Sequence, residues 1–109
     1  MLFCSGQTPI EPSTGRIVEG DIRAQTTQAL RNITEVVYAA GFLLSDVIKT
    51  TVFLTTMDDF AAMNEVYAHY FGTHRPARST VAVAQLPLAA RVEVEAIAIR
   101  TGPPKMEEK

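Results

Sequence analysis

The sequence has little of what most specialised chemistries require. It contains one cysteine, Cys4, in 109 residues, which excludes an internal disulfide and a cysteine zinc site. Two histidines, His69 and His74, are too few for a histidine-rich metal centre. Tryptophan is absent, and aromatic residues make up only 7%. Neither charge sign dominates. Ten Lys and Arg against twelve Asp and Glu leave a net charge of -2, so no basic footprint for nucleic acid is visible. No apolar run approaches the roughly 18 residues of a membrane span. The opening MLFCSGQTPIEP also lacks the charged and then apolar regions of a signal peptide. What remains is 47% hydrophobic and 20% charged, a balance that rules out disorder for most of the chain. A single soluble, reduced, cytosolic domain over residues 1–100 is expected, followed by a polar, frayed tail over 101–109.

Periodicity predicts the elements. Met1-Leu2-Phe3-Cys4 reads as a short strand that Ser5-Gly6-Gln7 breaks. Pro12-Ser13-Thr14-Gly15 is a turn before a return strand at Arg16-Ile17-Val18. Asp21 is a good N-cap for a helix with apolar or small residues at Ile22, Thr26, Ala29, Ile33, Val36, Val37 and Ala40, and Gly41 ends it. Val47 to Thr55 is rich in β-branched residues and predicts a strand. One face of it carries Ile48, Thr50, Val52 and Leu54, and the other carries Val47, Lys49, Thr51 and Phe53. A second helix, capped by Asp58 or its neighbour, has Phe60, Met63, Tyr67, Tyr70 and Phe71 on one stripe and stops at Gly72. Strands follow at Ser79 to Val83 and Arg91 to Arg100, the latter alternating Val92, Val94, Ala96 and Ala98 against Glu93, Glu95, Ile97 and Ile99. The order predicts an α+β layer, two helices on one face of a sheet. The second sheet face mixes Lys49, Thr51, Glu93 and Glu95 with Phe53, Ile97 and Ile99. That composition suits either a subunit interface with a polar site built into it or a half-exposed sheet with scattered apolar residues.

Few residues stand out as chemistry. Arg78, in Pro76-Ala77-Arg78-Ser79-Thr80, can grip a carboxylate through two parallel hydrogen bonds or simply pair on the surface. Glu93 and Glu95 share one sheet face and can orient water or move a proton; interface ion pairing is the plainer alternative. Gly6, within Ser5-Gly6-Gln7, permits a close backbone approach but matches no phosphate loop. Cys4 reads as a buried, inert thiol and His69 as a surface residue. Asn64 and Tyr67, one helical turn apart, fit core and cap roles more readily than ligand contacts.

Together, Ser5-Gly6-Gln7, KTTVFLTTMDDFAAMNEVYAHYF, PARSTVAVAQLP and RVEVEAIA resemble the YjgF family, the reactive intermediate deaminases (Rid), from about Leu2 to Arg100. The arginine of PARS is similar to that of the archetypal deaminase subgroup. The resemblance implies a chorismate-mutase-like α+β fold. It implies a homotrimer whose three sheets close a barrel, with active sites in the clefts between subunits. The implied activity is hydrolysis of 2-imino acids such as 2-iminobutanoate and 2-iminopropanoate, and their enamine tautomers, to 2-keto acids and ammonia, without cofactor or metal. Residue by residue, Arg78 matches the arginine that holds the substrate carboxylate. Glu93 matches the glutamate that holds the attacking water. Ser5 and Gly6 match the loop lining the cleft, and Asn64 a cleft asparagine. Thr80 stands where many members have cysteine and contact the ligand through the backbone N–H. The alternatives within the family are a binding-only trimer with impaired catalysis and a ribonuclease or translation inhibitor. The net charge and the scarcity of aromatics argue against RNA. The family's first strand and its glycine-proline-tyrosine stretch have no counterpart here. Because an apolar run starts at residue one, an upstream edge strand is expected in a longer native protein.

Overall fold

The structure, a computed structural model, describes residues 1–100. It holds β1 (Leu2–Gln7), β2 (Ile10–Glu11), β3 (Arg16–Ile17), α1 (Ile22–Ala39), β4 (Val47–Leu54), α2 (Phe60–Phe71), β5 (Ala77–Ala82) and β6 (Val92–Ala98). The main sheet is ordered β1-β6-β4-β5. β6 runs antiparallel to both β1 and β4, while β4 and β5 are parallel and joined through α2. Both helices cover one face of this mixed sheet, as the sequence predicts, and β2 and β3 form the small hairpin across the Pro12–Gly15 turn. No described helix is long and apolar enough to cross a membrane.

Local chemistry explains the boundaries. Asp21 accepts the Ala24 N–H at the start of α1. At its end, Gly41 takes φ +87°, its N–H donates to the Tyr38 carbonyl, and the Phe42 N–H donates to Val37, the paired bonds of a Schellman stop. The covered sheet face meets the helices through Leu30, Ile33, Val37, Val52, Leu54, Met63, Val92 and Val94, all essentially without solvent contact. Burying each contributes about 1.5–3 kcal/mol. Two pairs of hydroxyls satisfy each other under the helices: Thr50 and Tyr67 share a hydrogen bond of 2.6 Å, and Thr34 and Tyr70 one of 2.7 Å.

Several expectations require correction. Ser5-Gly6-Gln7 does not break the first strand; it continues β1 through a bulge, where pairing shifts from Cys4↔Ala96 to Gln7↔Val94. In β4 a register irregularity between Val47 and Lys49 exchanges the ends of the two faces, so Val47 is buried and Ile48 is 42% exposed. Asp58 does not cap α2. The Thr56 hydroxyl accepts the Asp58 N–H in a 3-10 turn before the helix, and Asp59, at the helix boundary, pairs instead with Arg91 at 2.8 Å. β5 begins two residues earlier than expected and ends at Ala82, because its parallel register with β4 starts at Lys49↔Ala77. The tail over 101–109 lies outside the described residues.

Candidate active site

Arg78 is the second residue of β5, the edge strand beside α2. Its register partner is Thr50, so it lies on the helix-covered side of the sheet. Three α2 side chains at helical spacing hold the guanidinium. Asn64 Oδ1 accepts from Nη1 at 2.7 Å. The Tyr67 and Phe60 rings lie 4.7 and 5.6 Å from the guanidinium carbon, close enough for cation–π attraction. Tyr67 is itself fixed by its bond to Thr50 on β4. Burial pushes its phenol above the usual tyrosine range, opposed by the Thr50 bond and by the charge of Arg78. The Asn64 bond uses one of five guanidinium N–H donors, so an in-plane pair remains for a carboxylate. Among the described residues Arg78 has no ion-pair partner. It opens on a cleft of about 370 Å³, lined also by Asn64, Tyr67, His74, Arg75 and Pro76.

Glu93 lies elsewhere. Its register partner is Phe53, which puts its side chain on the open face of the sheet with Glu95. There it crosses β1 at Gly6: a Cβ on Gly6 would sit 1.9 Å from Glu93 Oε2 and 2.8 Å from its Cδ. Glycine at position 6 is therefore what lets this carboxylate lie against the backbone. Ser5 is exposed on the same bulge. Thr80 is two residues beyond Arg78 on the covered side, paired in register with Val52, and its hydroxyl oxygen is buried without a partner.

The expected residues thus fall into two groups. Arg78, Asn64 and Thr80 gather at the β5–α2 edge. Glu93, Gly6 and Ser5 gather on the open face at β1–β6. Register parity separates the two groups across the sheet within one chain. Sequence reasoning missed Tyr67 and Phe60 as the platform under Arg78, since their spacing reads as core, and it gave His74 and Arg75 no place in a site. Cys4 is buried, and burial pushes its thiol up, in keeping with an inert role. No group of three or more His, Cys, Asp or Glu side chains able to hold a metal occurs among the described residues.

Residues 1–100 match the family described as Endoribonuclease L-PSP. A RutC family protein of Pyrococcus horikoshii is 57% identical over 99 residues, covering 91% of this chain and 79% of that protein. A protein of Salmonella typhimurium named 2-iminobutanoate/2-iminopropanoate deaminase is 46% identical over 103 residues, covering 92% and 80%. Among solved structures, Escherichia coli TdcF with bound serine is similar at a TM-score of 0.86 and 46% identity, covering 91% of this chain and 80% of that one.

Proposed function

The chain belongs to the Endoribonuclease L-PSP family, and from that premise we propose that it is a hydrolytic deaminase of 2-imino acids, releasing 2-keto acids and ammonia. The observation that carries this reading is the Arg78 cradle. A guanidinium seated on two rings and turned by Asn64 has its orientation set before a ligand arrives, which suits a planar carboxylate. A 2-imino acid then presents an already electrophilic C=N carbon. Water attacks the carbon of the protonated imine as Glu93 takes its proton, giving a tetrahedral aminoalcohol. Glu93 returns that proton to nitrogen, then takes the hydroxyl proton as the C=O forms and ammonia leaves. Positioning supplies most of the catalysis, and the scheme calls on no cofactor.

The same reading makes the protein a homotrimer. One copy supplies Arg78, Asn64 and Thr80, and a neighbour supplies Glu93 with the Ser5-Gly6 bulge. The open face supports this. Phe3 is 71% and Val81 44% exposed, on the same side as half-buried Phe53 and Ile97, and a second sheet would cover them. Sedimentation equilibrium is expected to give three chains per particle; a single chain across micromolar concentrations rejects the assembly.

The activity is tested by generating 2-iminobutanoate in situ from threonine with a pyridoxal-phosphate dehydratase and timing ammonia release. The protein is expected to accelerate release. Arg78→Lys keeps the charge but loses the fork, at a cost of about 1.5–3 kcal/mol in carboxylate binding, so most of the acceleration should vanish while thermal unfolding is unchanged. No acceleration by the wild-type protein, or equal rates for the variant, overturns the reading.

A further inference from the structure

The cleft beside Arg78 holds more positive charge than one carboxylate requires. Arg75, three residues upstream on the connector between α2 and β5, lines the same cleft, as does His74. No acidic side chain of the same chain lines it, the neighbouring copy's Glu93 serving as the base, and among the described residues neither arginine forms an ion pair. His74 donates from Nε2 to the Val47 carbonyl at 2.7 Å, which fixes the ring and leaves Nδ1 free. Arg75 donates one N–H to the Gly72 carbonyl at the end of α2, leaving four of its five donors. Two guanidiniums lining one cleft of about 370 Å³ repel each other, and an anion with two negative ends relieves that repulsion better than an anion with one.

We infer that Arg75 forms a second anion subsite that makes this protein selective for imino acids carrying a second carboxylate, those derived from acidic amino acids. The inference rests on Arg78 as the clamp for the first carboxylate. Arg78 holds the carboxylate next to the imine carbon, and the side-chain carboxylate reaches toward the connector. The competing role for Arg75 is a cation at the C-terminal end of α2, which would affect stability without discriminating between ligands.

Titration calorimetry with stable keto acids separates the two. On the intact protein, 2-oxoglutarate is expected to bind at least about tenfold tighter than 2-oxobutanoate, the gain of one charge-assisted contact. Arg75→Gln should bring the ratio to within about threefold of one, and Arg75→Lys, which keeps the charge, should retain part of it. A wild-type ratio near one overturns the inference, as does a ratio that survives Arg75→Gln. Because Arg75 is exposed, its replacement leaves the core untouched, and a melting curve of the variant reports any loss of the helix-end contact separately. Arg78→Lys supplies the control on the reading beneath. If 2-oxobutanoate binding depends on Arg78 while the ratio is near one, only the inference fails. If Arg78→Lys leaves the binding of both ligands unaltered, the deaminase site fails and the inference falls with it.

Discussion

On the helix-covered face of the sheet, Val52, Leu54, Val92 and Val94 have lost essentially all contact with solvent, whereas on the opposite face Phe53 and Ile97 stay half-buried and Phe3 is 71% exposed. The polar groups follow the same division. Beneath the helices, Thr50 has Tyr67 and Thr34 has Tyr70, while the Thr26 and Thr80 hydroxyls are closed off from water without a partner. On the open face, Glu93 and Glu95 form no ion pair among the described residues. One chain therefore completes the first face by itself and leaves the second unfinished. The candidate site is divided along the same line, with Arg78 and Thr80 on the covered side at the β5 edge and Glu93 on the open side. A small substrate cannot touch both within one copy, since a sheet separates them.

Mixing two inactive variants tests this division most severely. If Arg78 of one copy and Glu93 of a neighbour share a substrate, Arg78→Ala and Glu93→Ala proteins, each inactive, regain activity when unfolded and refolded together. Random assembly of a heterologous ring leaves about a quarter of the sites with both native residues. No recovery on mixing would put both residues of a working site in one chain and defeat the two-sided division. The next effect is smaller and confined to the open face. Gly6→Ala places a methyl where Glu93 Oε2 lies, and the flexible carboxylate must swing aside. Misplacing a water-orienting group by an ångström or so costs on the order of a hundredfold in turnover. Keto-acid binding at Arg78 should be largely kept, so a matching loss of binding would show the two halves to be coupled rather than separate.

Some of this division is legible in the sequence and some is not. The alternation of Val92, Val94, Ala96 and Ala98 against Glu93, Glu95 and Ile97 states the two faces of β6 directly, because a buried strand face needs period two. The placing of Arg78 and Glu93 on opposite sides does not emerge that way. Parity within a strand is visible in sequence, but the register between strands is set by pairing, and here Thr50↔Arg78 and Phe53↔Glu93 are both known only from the sheet. The irregularities in β1 and β4 escaped for a related reason: a bulge adds a residue without a composition signal, and Val47 and Ile48 are equally good on either face. Gly6 attracts notice in the sequence for the close backbone approach it allows, but that the Glu93 carboxylate is what approaches it is visible only in the sheet. Tyr67 reads as core from its spacing and is core, at 7% exposure. Its second role, as the platform for a charge, requires β5 to arrive beside α2.

The smallest effect tests how dry the covered face is under Arg78. Tyr67→Phe keeps the ring beneath the guanidinium but strands the buried Thr50 hydroxyl, 1% exposed, at a cost of about 1–3 kcal/mol near neutral pH. That cost should shrink in alkali. Burial holds the Tyr67 phenol above its ordinary value of about 10, so between that value and the raised one the folded chain keeps a proton that the unfolded chain has lost. Stability with more protons bound in the folded state falls as pH rises, and the phenylalanine variant has no such proton to lose. Cys4, also pushed up by burial, is common to both proteins and cancels. Urea midpoints measured at pH 8 and pH 11 should therefore show the wild-type advantage narrowing at the higher pH. An advantage of equal size at both would mean that the phenol titrates as it does in water, and that the covered face admits solvent where the guanidinium is anchored.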